Sequence, residues 1–294
     1  MPLVGIRGML AEARQKRYGV LSLLGGNLDM VLGQVAAAEA CRAPLILALN
    51  EGVTPHVPMD LAMPMLVAVA QRATVPVATI LDHGRSIADV ERAIDLGTSA
   101  VMFDGSGLAY DENVRITAEV VRIAHSVGVD VEAELGSIAG SAEWKPRDSG
   151  SEQPPAEPPK GVATDPELAR DFVQKTNVDA LAISFGNVHG TYQGDPCLDL
   201  DLVRQIRSQV EIPLVMHGGS GLDFGEYPII VRSGISKIGY YTAAGIRAAS
   251  FIKSELTQSA NETAVYHDII AMSIDFFRQD TARLIELVGC AGVV

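Results

Sequence analysis

Apolar and polar positions along the chain fall into two alternating rhythms. Short apolar runs of strand length recur at Val20–Leu24, Leu45–Leu49, Pro76–Leu81, Ala100–Phe103, Val129–Glu134, Ala180–Ser184, Pro213–Met216 and Ser236–Gly239. Between most of them, apolar residues return every three or four positions. In Ile87–Leu96 the residues Ile87, Val90 and Ile94 share one face, and Asp89, Glu91 and Arg92 occupy the other. Asn113–Val127 carries the stripe Val114, Ala118, Val121 and Ala124, and Asp165–Thr176 and Asp201–Val210 follow the same form. Asp165-Pro166 reads as an N-cap followed by proline at the first helical position. Strand, helix, strand, repeated, predicts a parallel sheet built from βαβ units. Eight strands with a helix after each predict an α/β TIM (β/α)8 barrel, with a doubly wound open sheet as the alternative.

Two stretches depart from the rhythm. About 137–163 is rich in Gly, Pro, Ser and charge without apolar periodicity. It predicts a long mobile loop after strand 5, lying over the strand ends. About 243–288 carries no strand signal and predicts a helical C-terminal extension. Alternation resumes directly after the long loop, so residues 1–294 are expected to form a single barrel domain.

A barrel makes a sharp demand on the polar residues: those that do chemistry should gather at the C-terminal ends of the strands. The third run ends in Asp82-His83-Gly84, the fourth in Asp104-Gly105-Ser106 and the fifth in Glu134-Leu135-Gly136. The sixth leads into Phe185-Gly186-Asn187-Val188-His189-Gly190, and the seventh ends in His217-Gly218-Gly219-Ser220-Gly221. His83, His189 and His217 thus stand at three strand ends, and three neutral imidazoles with an open position suit a catalytic zinc ion. His56, His125 and His267 fall in loops or helices and read as ordinary histidines. Asp82 either orients a ligand or moves a proton. Asp104 and Glu134 either hold a second cation or are simply hydrated or paired. The glycine-rich turn with Ser220, and Thr242 after the eighth strand, suit a phosphate held by backbone N–H groups and hydroxyls.

Composition narrows the partners. The 294 residues carry a net charge of −13, with 48% hydrophobic and 20% charged residues. So acidic a chain has no electrostatic footprint for nucleic acid or for an anionic membrane surface. No run reaches the roughly 18 apolar residues of a membrane span. The three cysteines, Cys41, Cys197 and Cys290, are scattered and form no CxxC pair, so no disulfide framework is expected. With no apolar signal-peptide core, a cytoplasmic location is expected.

The ordered motifs LDHG, VEAELG, FGNVHG, HGGSG and GISKI resemble the class II zinc-dependent ketose-bisphosphate aldolases, from about Gly8 to the C-terminal ELVGCAG. The resemblance implies a TIM barrel, a homodimer or homotetramer, and reversible cleavage of a ketose phosphate to dihydroxyacetone phosphate and an aldehyde via an enediolate. It implies Zn2+ on His83, His189 and His217, and Asp82 as the acid/base. It places a second divalent or monovalent cation near Asp104 and Glu134, and phosphate on Gly190, Gly218, Ser220 and Thr242. Lys237 is then structural rather than a Schiff-base nucleophile.

This chain departs from the family pattern at several points. The family's loop glutamate position is Ala142 here, so Glu143, one residue on, is the expected base. Leu23-Leu24 stands where the family has Phe-Asn, and Gly239 where it has Asn, with Tyr241 adding bulk before Thr242. These changes fall on the donor side of the pocket. The expected substrate is therefore a ketose phosphate other than fructose 1,6-bisphosphate. The alternatives are a lyase of the same metal scaffold using another carbonyl donor, or a non-catalytic binding relative.

Overall fold

The computed structural model describes residues 3–52, 54, 56–140, 161–190, 192, 194, 196–258 and 264–294. A helix absent from the expectation, α1 (Ile6–Lys16), precedes the first strand. Then follow β1 (Val20–Leu24), α2 (Leu28–Cys41), β2 (Leu45–Leu49), α3 (Met59–Arg72), β3 (Val77–Gly84), α4 (Ile87–Asp95), β4 (Ala100–Phe103) and α5 (Tyr110–Ser126). The second half comprises β5 (Asp130–Leu135), β6 (Ala139–Gly140), α6 (Pro166–Thr176), β7 (Ala180–Ile183), β8 (Val188–His189), α7 (Leu200–Gln209), β9 (Leu214–Met216), α8 (Tyr227–Ser233), β10 (Ile235–Tyr240), α9 (Thr242–Gln258) and α10 (Tyr266–Val288).

Eight parallel strands close into a barrel in the order β1, β10, β9, β7, β5, β4, β3, β2. β6 and β8 form a separate two-stranded sheet. β1, β2 and β4 are buried along their whole length, because one face packs inside the barrel and the other under the helices. Helix starts follow their capping residues. Asn27 accepts from the Met30 amide, Ser86 from Asp89, and Asp199 from Leu202. The Asp165 carboxylate takes the Glu167 and Leu168 amides with proline next to it, as the sequence predicts.

α1 lies across the N-terminal end of the barrel. Its Arg14 donates to the carbonyls of Val210 and Ile212, just ahead of β9, at 2.7 and 2.9 Å. Its Arg7 reaches Asp130 at the start of β5 and Asp179 just before β7. The helical C-terminal part returns to the chain's own core. α10 packs along α2, with Phe277, Leu284, Ile285 and Val288 buried. Gly33 permits that approach, since a Cβ there would stand 2.4 Å from the Ile274 carbonyl oxygen.

Candidate active site

Three histidines from different segments converge at the C-terminal mouth. The rings of His83 and His217 lie 4.6 Å apart between centroids, His83 and His189 4.9 Å, and His189 and His217 5.8 Å. One ligating atom from each fits within a 4.8 Å cluster. Each arrives by a different local device. His83 sits within β3, where the pairing with β4 shifts register between Leu81 and Gly84, and its φ is +54°. A left-handed residue is costly for a non-glycine side chain inside a strand. It breaks the alternation that would send Asp82 and His83 to opposite faces. His189 is carried on β8, held by the pairing of Ala139 with Val188 and Gly140 with His189. His217 directly follows β9, and the Asn187 side-chain amide donates to its carbonyl at 2.9 Å.

The remaining ring nitrogens are committed in two of the three cases. His83 Nδ1 lies 2.7 Å from Asp104 Oδ2. The other Asp104 oxygen accepts from the Ser106 amide and hydroxyl. His217 Nε2 lies 2.8 Å from Glu132 Oε1, while its Nδ1 faces Asp82 Oδ1 at 3.7 Å. His189 Nε2 is buried without a hydrogen-bond partner, as is Glu134 Oε2. Two of the three such side-chain atoms among the described residues therefore lie in this one cluster, where buried polar groups ordinarily find partners.

The electrostatics couple the histidines and carboxylates tightly. Burial opposes a charge on His83, but Asp82, Asp104 and Glu134 outweigh it and raise its pKa to about 9. His189, buried and beside the other two histidines, is pulled down to about 3 and is neutral. Burial, then the neighbouring Asp104, push Glu134 up to about 8. Burial alone would raise Asp82, yet His83, His217 and Lys237 hold it below its ordinary value, so it is a carboxylate at neutral pH. Asp104 is likewise held low, its bonds with His83 and Ser106 overcoming burial. The residues fit a divalent metal: three imidazoles converge, two have their outer nitrogens fixed by carboxylates, and one carries an orphaned nitrogen. A second group, His83 with Asp104 and Glu134, also lies within ligating distance of itself.

The anticipated phosphate elements gather beside this cluster. The Ser220 hydroxyl accepts from the Tyr241 amide at 3.1 Å, tying the turn after β9 to the start of α9, where Thr242 stands. Gly218 has φ +70°, and a Cβ there would lie 2.2 Å from the Val188 carbonyl oxygen, so the turn closes against β8 only with glycine. Gly190 follows His189 with φ +87° and open space around it. Glu143 lies outside the described residues.

Two neighbours, Glu132 and Tyr192, were not singled out in the sequence. Glu132 reaches His217 from inside the barrel; its signal is strand alternation, which puts it on the same face as Glu134. Tyr192 donates its hydroxyl to the Gly218 carbonyl at 3.0 Å, and nothing in its local sequence marks it. On the other flank of Asp82 a cavity of about 280 Å³ is lined by the adjacent Asn50 and Glu51 and by Arg85, which the topology brings to them.

The sequence matches the family described as "Fructose-bisphosphate aldolase class-II" over residues 4–293. The chain belongs to that family. Class II aldolases are aldehyde-lyases, and several relatives bear the name. One is the fructose-bisphosphate aldolase of Staphylococcus epidermidis RP62A, 33% identical over 269 residues, covering 90% of this chain and 89% of that protein. YdjI of Escherichia coli K12 is 34% identical over 240 residues, covering 82% and 83%. The crystal structure of the YdjI aldolase matches with a TM-score of 0.85 at 30% identity, covering 99% of each chain. A structure of a putative fructose-1,6-biphosphate aldolase from Coccidioides immitis shares the fold, with a TM-score of 0.84 at 23% identity.

Proposed function

We propose that this class II aldolase binds Zn2+ on His83, His189 and His217. It then reversibly cleaves a ketose phosphate, other than fructose 1,6-bisphosphate as main substrate, into dihydroxyacetone phosphate and an aldehyde. The observation that carries the proposal is the convergence of the three imidazoles beside the Asp82 carboxylate. When bound, the metal supplies Lewis-acid stabilisation of the negative charge that develops on the ketone oxygen.

The chain's own residues do the rest. Asp82, ionised at the mouth, accepts the proton of the substrate's C4 hydroxyl as the carbon–carbon bond breaks, and returns it to the aldehyde oxygen in condensation. Glu143 is proposed as the group that exchanges the carbon-bound proton. Gly190, Gly218, Ser220 and Thr242 hold the phosphate, which suits a protein whose net charge of −13 offers an anion no general attraction. Asp104 and Glu134 serve a second divalent or monovalent cation. The same proposal extends to one domain over 1–294, assembly as a homodimer or homotetramer, and a cytoplasmic setting.

Gly239 favours a second reading, a lyase of this scaffold with another carbonyl donor. A Cβ at Gly239 would stand 3.6 Å from His217 Nδ1 in ordinary contact, so the position faces the site but offers no side-chain donor. The test is a screen of aldehydes with dihydroxyacetone phosphate on zinc-loaded protein. Formation of a ketose phosphate supports the first reading. Failure with every aldehyde, together with condensation of another enolisable donor, supports the second.

A further inference from the structure

Deep in the barrel, below the histidines, lies a charged pair that the aldol chemistry does not touch. Glu132 of β5 and Lys237 of β10 are both 0% exposed, and Lys237 Nζ donates to Glu132 Oε2 at 2.6 Å. β7 and β9 separate the two strands in the barrel order, so the side chains meet inside the barrel rather than along its wall. The other oxygen, Glu132 Oε1, takes His217 Nε2 at 2.8 Å.

We infer that the Glu132–Lys237 pair is a positioning device for His217. It holds Nε2 as the hydrogen-bearing nitrogen and presents Nδ1 to the centre of the site. The inference rests on the metal-binding reading above. A carboxylate can only accept, so a ring facing Glu132 through Nε2 donates from it, and the lone pair is left on Nδ1. That nitrogen points toward Asp82. His83 is fixed the opposite way, with Nδ1 engaged by Asp104 and Nε2 free for the centre. The two rings therefore offer opposite nitrogens because their carboxylates approach from different directions, one from the rim and one from below.

Lys237 makes the arrangement durable. Bonded at both oxygens, the carboxylate cannot swing away from the ring, and its charge is matched in an interior that would not tolerate it alone. The geometry also removes Lys237 from covalent chemistry, since its amine is buried against Glu132 and reaches no open space. Lys237 is thus a positioning residue two contacts removed from the metal, acting through Glu132 and His217.

The test uses the full chain, stripped of metal and reloaded. Zinc affinity is read by competition with a chromophoric chelator, and ligand geometry by the visible absorption of the Co2+ form. Lys237→Met and the double variant Glu132→Leu/Lys237→Met are each expected to weaken zinc binding about 10- to 100-fold and to shift the Co2+ bands. Glu132→Gln, which keeps an acceptor for Nε2, is expected to fall between wild type and these. The double variant leaves no unpaired buried charge, so it remains informative where Lys237→Met fails to fold. A folded double variant with wild-type zinc affinity and Co2+ spectrum overturns the inference alone. A wild-type protein that takes up neither metal overturns the metal reading and this inference with it. Reductive trapping of a ketose phosphate on Lys237 also overturns it.

Discussion

The two ends of the barrel hold nearly the same ingredients and put them to different use. At the N-terminal end, His125, Asp130 and Asp179 meet Arg7: Arg7 Nε lies 2.7 Å from Asp179 and 3.3 Å from Asp130, and His125 Nε2 lies 2.8 Å from Asp179. Asp179 also accepts the Val131 amide, and Asp130 the Arg7 amide. At the C-terminal end, His83, His189 and His217 meet Asp82, Asp104 and Glu134, and two buried atoms there lack a partner among the described residues. The lower cluster has a guanidinium of its own bridging its two carboxylates. The upper one gathers three imidazoles beside its carboxylates, the donor set proposed above to hold a metal. A histidine near carboxylates thus takes its role from what else converges on it, an arginine in one cluster and two more imidazoles in the other.

The contrast breaks most sharply at the mouth. His83→Ala is expected to lose bound zinc and aldol cleavage together, by about a thousandfold or more in turnover. Metal analysis alongside product formation checks this, and full activity in the metal-free variant would sink the metal role. Asp82→Ala should keep its zinc and lose about 10²- to 10⁴-fold in turnover. Unchanged turnover on the true substrate would exclude proton transfer by Asp82.

At the N-terminal end the currency should be stability alone. Arg7→Ala is expected to cost about 1–2 kcal/mol, because Arg7 is more than half exposed while Asp179 is buried. Denaturant titration measures the loss, and zinc content and turnover should not move; a comparable fall in turnover would erase the distinction between the ends. Ser220→Ala sharpens the mouth side more gently, with a rise of about fivefold in KM for the phosphorylated substrate and little change in kcat. Equal KM in variant and wild type would remove Ser220 from the phosphate site.

The smallest effect is a pH dependence at the N-terminal end. Burial raises Asp130 above its ordinary pKa of 3.8, and Asp179 adds to that shift against the bond from the Arg7 amide. The folded state therefore binds this proton more tightly than the unfolded chain. The associated stability is present below 3.8 and is lost as pH rises through the folded pKa. Asp130→Asn keeps an acceptor for the Arg7 amide and should lessen the loss of stability between acid and neutral pH. A steeper loss in the variant would reverse the assignment.

Much of the barrel is legible because burial imposes a period. β1, β2 and β4 fall on the predicted runs, while β3 and β10 run longer, through Gly84 and Tyr240. α1 escaped notice because it precedes the alternation, and its Arg7 and Arg14 find partners more than a hundred residues away. His83, His217 and Asp82 could be singled out by standing at the ends of apolar runs. His189 is a subtler case: six residues past the end of β7, it is brought back by two short strands too small to leave a pattern.

By itself the sequence determined the repeating strand–helix order, the family, and the residue types at the barrel mouth, since each rests on local periodicity or on short ordered motifs. Only the tertiary structure decided which charges are satisfied. His125 and His83 are both histidines near aspartates, yet Arg7 folds across the chain to pair with one set, while two further histidines converge on the other. Glu132 and Lys237, 105 positions apart, become neighbours only when the barrel closes. Charge balance in a dry interior depends on distances through space, and those exist only after folding.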